Sequence, residues 1–182
     1  MLRLLCFLAL FVSATVNANL VEDLRSGSSI IIMRHADAPG FSDPPGYRLN
    51  DCSSQRNLGN DGRTQAAEIG KWLAAQGIQE ARVFSSPWCR CIDTATLLNK
   101  GRVTPESSLG SFFEEMSRGD KQTKWLEAFI QKQLSSGNKI PLILVSHQVN
   151  IRAFTGASVG SGQMLLVKVN KQGQAIHQRS IP

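Results

Sequence analysis

Two of the three histidines in this chain, His35 and His147, directly follow short apolar runs, and arginines lie nearby. Arg34 precedes His35, and Arg90 lies just beyond a third apolar run. A neutral imidazole has a lone pair that can attack phosphorus, and the planar guanidinium group matches the oxygens of a phosphate. Together these residue types predict phosphoryl transfer, provided that the fold brings them together.

The residues that carry this chemistry follow predicted strands. Short apolar runs at 29–33, 82–85 and 140–145 are typical of buried strands. Helical periodicity predicts helices over 62–76, from Pro87 to just before Gly101, and over 121–135. Strands that alternate with helices form mostly parallel sheets, and ligands bind such sheets at the carboxyl ends of the strands. The four side chains are therefore expected at one edge of the sheet.

The chain length and the remaining segments complete the predicted architecture. The 182 residues leave room for one domain with a substantial core. Runs at 164–169 and 175–180 predict a closing hairpin, and residues 38–57 form a long loop rich in Pro, Gly, Asp and Ser. We predict an α/β fold, a single-domain three-layer sandwich over residues 19–182, whose mostly parallel sheet is flanked by helices and ends in a hairpin.

The first eighteen residues have the layout of a secretory signal peptide. Arg3 supplies a positive start, residues 4–12 are apolar, and Val16-Asn17-Ala18 is a small-x-small cleavage pattern. The apolar stretch is short for a bilayer span, although an uncleaved anchor is the alternative. We predict that residues 1–18 are a signal peptide and that the mature protein is periplasmic or secreted.

The bulk composition limits the classes of function. The chain is 42% hydrophobic and 19% charged, which argues against a disordered protein and against a multi-span membrane protein. The formal net charge is +6, but the basic residues are scattered, so nucleic-acid binding has little support. The modest positive balance suits anionic substrates.

Three cysteines remain after the predicted signal peptide, namely Cys52, Cys89 and Cys91. An oxidising compartment favours one disulfide, and we predict a bond from Cys52 to Cys89 or Cys91 that ties the 38–57 loop to the segment bearing Arg90. A C-x-C pair with one distant cysteine matches no common structural zinc spacing. No metal and no cofactor are therefore expected.

Four motifs occur in order over residues 29–156 and resemble those of one family. They are Arg34-His35-Ala36, Arg56-Asn57-Leu58 with Gly62 and Gln65-Ala66, Ser85 through Arg90 with Thr94-Ala95, and Val145-Ser146-His147. This series is similar to the R-H-G, R-x-L-x-x-x-G-x-x-Q-A, S-x-x-x-R-x-x-x-T-A and V-x-H motifs of the histidine phosphatase superfamily, also called phosphoglycerate mutase-like. The second and third motifs are slightly longer here.

The resemblance implies a role for each matched residue. His35 would be the nucleophile that becomes phosphorylated, while Arg34, Arg90 and His147 would form the phosphate pocket, with Arg56 as a further contact. The activity implied is metal-independent hydrolysis of a phosphomonoester or similar phosphoryl compound by a compact, exported member. The substrate would be a small phosphorylated molecule, and among exported relatives an envelope sugar phosphate is the nearest analogy.

The residue at the position expected for the general acid departs from the family pattern. Many members place a Glu two residues after a Leu in this region, whereas Leu109 is followed at that spacing by Ser111. Glu114, Glu115 and Asp37 are the alternatives, and we favour Glu115. The competing functions are a non-catalytic periplasmic binding protein for phosphorylated ligands and a phosphomutase. An interaction surface built on Trp125 and Phe129 ranks last, because we expect these residues in the core.

Overall fold

The computed structural model describes residues 15–182, with side chains from Leu20 onwards. The predicted signal peptide falls mainly on residues 1–14, which lie outside the described residues, so this boundary stays a prediction. Helix α1 (Thr15–Arg25) begins within its last residues. Within the described range, no helix is both long enough and apolar enough to cross a membrane.

The elements alternate along the chain. After α1 come β1 (Ser29–Arg34), α2 (Asn60–Ala75), β2 (Arg82–Ser85), α3 (Cys89–Leu97), β3 (Val103–Pro105), α4 (Gly119–Ser135), β4 (Leu142–Ser146), α5 (Gln148–Thr155), β5 (Met164–Val169) and β6 (Ala175–Ile181). The six strands form one sheet in the order β3-β2-β4-β1-β5-β6. The three pairings among β3, β2, β4 and β1 are parallel, and β5 and β6 add antiparallel pairings at the other edge. The predicted α/β fold with a closing hairpin is confirmed.

The strand register brings the ends of β1, β2 and β4 level. Arg34 lies opposite Ser146, and Ser85 lies opposite Val145. The ladder extends one step beyond the strands, since the backbone N–H of His35 donates to the carbonyl of Ser146 at 3.0 Å. Residues that follow these three strands therefore meet at one edge of the sheet.

Both faces of the sheet are covered, which explains why β1 is apolar at consecutive positions. Ile31 and Met33 pack under α1, α2 and α3, whereas Ile30 and Ile32 pack under α4 and α5. All four side chains are fully buried, and burial of each stabilises the fold by about 1.5–3 kcal/mol. A strand with two buried faces reads as an unbroken apolar run.

Several elements differ from the predictions for identifiable reasons. Strand β3 has three residues and helix α5 has eight, too short to give a clear periodic pattern. Helix α3 begins at Cys89, because Trp88 is its extended N-cap and Pro87 precedes it. Trp125 was expected in the core but is 50% exposed on α4, whereas Phe129 packs edge-to-face on Phe84 at 4.9 Å between ring centroids.

Candidate active site

His35 follows β1 at the level edge of the sheet and is almost completely buried. Its Nδ1–H donates to the carbonyl oxygen of Ala36 at 2.7 Å. Because a carbonyl only accepts, the proton is on Nδ1, and Nε2 keeps its lone pair. Burial lowers the pKa of His35 to about 3, and Arg90 and Arg34 add to this against the opposing hydrogen bond to Ala36. The imidazole is therefore neutral at physiological pH.

The backbone after His35 is held by two side chains from neighbouring helices. The N–H of Ala36 donates to Thr94 Oγ1 at 3.0 Å, and the N–H of Asp37 donates to Gln65 Oε1 at 2.9 Å. Helix α2 comes so close here that a Cβ on Gly62 would lie 1.9 Å from the carbonyl oxygen of Asp37. Thr94, Gln65 and Gly62, all residues of the sequence motifs, thus hold the segment that carries His35.

His147 follows β4 and is the extended N-cap residue of α5. Its Nε2 lies 2.7 Å from Ser86 Oγ, and its ring centroid lies 5.6 Å from that of His35 and 5.1 Å from that of Trp88. Burial, followed by the charges of His35 and Arg90, holds the pKa of His147 well below its usual value. Two neutral imidazoles therefore lie close together in an edge-to-face arrangement.

Three arginines surround this pair. Arg34 Nη1 donates to the carbonyl of Val159 at 3.4 Å, and Arg56 Nη1 donates to the carbonyl of Ala38. Among the described residues, the buried Nε atoms of Arg34, Arg56 and Arg90 have no hydrogen-bond partner. Burial, followed by the positive charge of Arg90, lowers the pKa of both Arg34 and Arg56. The cluster is thus rich in positive charge and has guanidinium N–H donors without a partner, which favours an anionic ligand.

Asp43 holds the 38–57 loop against the arginines. Its carboxylate, only 6% exposed, accepts from Arg90 Nη1 at 2.8 and 3.1 Å, from the indole Nε1 of Trp88 at 3.1 Å and from the backbone N–H of Arg56 at 2.9 Å. Burial alone would raise the pKa of Asp43, but these donors hold it below its usual value. Sequence reasoning missed this residue, because an Asp in a Pro- and Gly-rich stretch is typical of an ordinary turn.

A disulfide ties the same loop to helix α3. Cys52 is bonded to Cys89, 37 positions further on, which confirms the predicted bond and decides between its two alternatives. Cys91 is the remaining free cysteine of the described chain, and its thiol lies 3.5 Å from His147 Nε2. Burial raises the pKa of Cys91 to about 12, so it stays protonated.

The histidines, the arginines and Asp43 line one pocket of about 390 Å³. All five residues predicted to bind or attack the phosphoryl group line it, namely Arg34, His35, Arg56, Arg90 and His147. Glu114, Glu115 and Ser111 also line the pocket, whereas Asp37 is exposed and does not. Over residues 15–182, no group of three or more His, Cys, Asp or Glu side chains is placed to hold a metal ion.

The sequence of the chain matches one family model over residues 30–134, that of the histidine phosphatase superfamily (branch 1). This match spans more than half of the chain and includes three of the four motifs. The chain belongs to the histidine phosphatase superfamily, and its membership supports phosphatase activity. No curated protein matches the chain.

Solved structures show the same fold. The protein histidine phosphatase SixA, complexed with tungstate, aligns with a TM-score of 0.59 at 19% identity over 84% of this chain and 96% of its own. Phosphoserine phosphatase from Entamoeba histolytica gives 0.58 at 13% identity over 81% and 93%. A mycobacterial glucosyl-3-phosphoglycerate phosphatase gives 0.51 at 16% identity over 84% and 96%. The chain is similar to each of these in fold.

Proposed function

We propose that the protein hydrolyses a phosphomonoester through a phosphohistidine on His35. The observation that carries the proposal is the hydrogen bond that places the His35 proton on Nδ1, in a pocket lined by three arginines. Nε2 is left unprotonated and can attack phosphorus. The three guanidinium groups, offset by the buried carboxylate of Asp43, leave two positive charges to balance a phosphate dianion.

The two half-reactions follow from these positions. His35 Nε2 forms a bond to phosphorus as the ester P–O bond breaks, and an acid protonates the departing alkoxide. Water then attacks the phosphohistidine, the P–N bond breaks, the same acid in its basic form takes the water proton, and the lone pair returns to Nε2. Arg34, Arg56 and Arg90 bind the equatorial oxygens throughout, and His147 donates a further hydrogen bond. We propose that this cycle needs no metal ion, so a chelator should leave turnover unchanged.

The direct test is to trap the intermediate. A labelled phosphoryl donor, quenched rapidly without acid, should give an acid-labile, alkali-stable adduct on the wild type and none on His35→Ala. His177→Ala is the matched control, because His177 is an exposed histidine on β6. Full activity of His35→Ala would refute the mechanism. Phosphate binding without turnover by the wild type would instead identify the binding protein considered above.

Glu115 remains our candidate for the acid. Both Glu115 and Glu114 line the pocket, whereas Asp37 lies outside it, and Glu115 pairs loosely with Arg118 at 3.5 Å. A positioned acid contributes about 10²–10⁴-fold when the leaving group is a poor one. Glu115→Gln should therefore slow alkyl phosphates far more than nitrophenyl phosphate. Glu114→Gln is the matched comparison, and wild-type rates on both substrates in both variants would show that neither residue is the donor.

We further propose that the protein acts after export, in the periplasm or outside the cell. The layout of residues 1–18 and the Cys52–Cys89 bond support this proposal, since disulfides persist in oxidising compartments. The aromatic lining of the pocket favours a less hydrated alcohol than the envelope sugar phosphate that the family resemblance implies. Cell fractionation with N-terminal sequencing tests export, and a chain that retains Met1 and stays in the cytoplasm would contradict it.

A further inference from the structure

The mouth of the pocket is apolar and exposed. Phe41 is 82% exposed, Phe113 is 43% exposed and Leu49 is 42% exposed, and all three line the pocket. Phe41 and Phe113 come from two separate segments, yet their rings meet edge-to-face with centroids 5.5 Å apart. Exposed apolar residues that cluster rather than scatter mark a binding surface.

The aromatic lining of the pocket continues inward from this mouth. Tyr47 and Trp88 also line the pocket, with ring centroids 6.0 Å apart, and Trp88 in turn lies against His147. The pocket thus has a basic inner end at the arginines and an aromatic outer end. Its volume of about 390 Å³ lies in the range of small-molecule sites, roughly 300–1,000 Å³, so it has room for more than a phosphate group.

We propose that the preferred substrate is a monophosphate ester of an apolar alcohol, whose alkyl or aryl group contacts Phe41 and Phe113. This inference rests on the proposed phosphatase function, because it assigns the phosphate to the arginine end. Phe41 and Phe113 are then the specificity determinants, and strongly hydrated leaving groups such as glycerol or a sugar are disfavoured.

The test is a series of ethyl, butyl and hexyl phosphates, whose alkoxide leaving groups have nearly the same basicity. A fully buried methylene contributes about fourfold, so kcat/KM should rise by about two- to fourfold for each CH₂ added. The rise should nearly vanish in the Phe41→Ala/Phe113→Ala double variant. Trp125→Ala, which removes a half-exposed ring outside the pocket, should keep it.

Three outcomes would overturn the inference: a flat series in the wild type, a rise that survives in the double variant, or faster turnover of glycerol phosphate than of hexyl phosphate. Phosphoramidate, which carries no apolar group, tests the phosphohistidine separately. The dissociation constants of the same esters, measured by calorimetry, report the apolar contact even without turnover. Failure of the inference and failure of the proposed function are therefore distinguishable.

Discussion

At the scale of single residues, the site keeps its imidazoles neutral and its guanidinium groups charged within a few ångströms. His35 and His147 are buried beside arginines, and both effects disfavour the protonated imidazole. Asp43 supplies the compensating charge, and its side chain is as deeply buried as that of Arg90, at 6% and 5% exposure. Asp43 is thus a positioning residue that holds Arg90, Trp88 and the backbone of Arg56 in one arrangement.

We expect Asp43→Asn to disturb this arrangement while keeping the size of the side chain. Loss of the charged partner of Arg90 should lower the free energy of unfolding by about 1–3 kcal/mol. Misplacement of the arginines should lower kcat/KM by about tenfold to a hundredfold and raise the inhibition constant of inorganic phosphate. Phosphate inhibition and urea denaturation measure the two effects.

The control for this variant is Asp120→Asn, which removes an exposed carboxylate in the first turn of α4. It should leave the phosphate inhibition constant unchanged and lower the free energy of unfolding by less than about 1 kcal/mol, the usual contribution of a carboxylate at a helix N-terminus. If Asp43→Asn bound phosphate more tightly than the wild type, Asp43 would be a competitor for Arg90 and the positioning role would be wrong.

At the scale of elements, a covalent bond and a buried ion pair attach the 38–57 loop to helix α3. The Cys52–Cys89 bond joins it to the first residue of α3, and Asp43 joins it to Arg90 one residue further along that helix. The backbone N–H of Cys89 also donates to Gln55 Oε1 at 3.0 Å, which adds a further link between this loop and α3. The bond and the ion pair therefore cooperate in placing the outer wall of the pocket.

Reduction of the Cys52–Cys89 bond should weaken substrate binding before the core unfolds. Cross-linking residues 37 positions apart stabilises the fold by about 3–4 kcal/mol in the chain-entropy model. We expect Cys52→Ser/Cys89→Ser to raise KM clearly at temperatures where the far-ultraviolet circular dichroism is unchanged. Peptide mapping without reductant should find this bond and a free Cys91 thiol, and three free thiols in the exported protein would refute the prediction.

At the scale of the whole molecule, burial of the site links catalysis to acid stability. The folded state keeps His35 and His147 neutral, with the pKa of His35 at about 3, whereas an unfolded histidine titrates near 6.5. Well above pH 6.5 neither state binds a proton at these histidines, so they add no pH dependence to stability. Below it the unfolded chain binds protons that the folded protein does not, so stability falls as the pH falls towards 3.

We expect the free energy of unfolding to fall by about 2 kcal/mol between about pH 7 and pH 5 because of His35, with a further loss in the same direction from His147. Urea denaturation at the two pH values measures the loss. His35→Gln should remove about 2 kcal/mol of this loss, and His177→Gln, which replaces an exposed histidine on β6, is the matched control. An identical loss in wild type and His35→Gln would contradict the linkage.

The sequence by itself determined the order of the strands and helices that carry the site. Apolar runs such as 29–33 and the periodicity over 62–76 are local properties, and each reflects which faces of an element are buried. The motifs around His35 and His147 were visible because each follows such a run. Residues 30–134 also sufficed to identify the superfamily.

Only the tertiary structure decided the contacts made by the 38–57 loop. The choice of Cys89 over Cys91, the binding of Asp43 to Arg90 and the meeting of Phe41 with Phe113 all depend on where this loop lies. A loop with no hydrophobic period carries no local signal of its position. Its place follows from contacts with residues tens of positions away, which only the folded chain brings together.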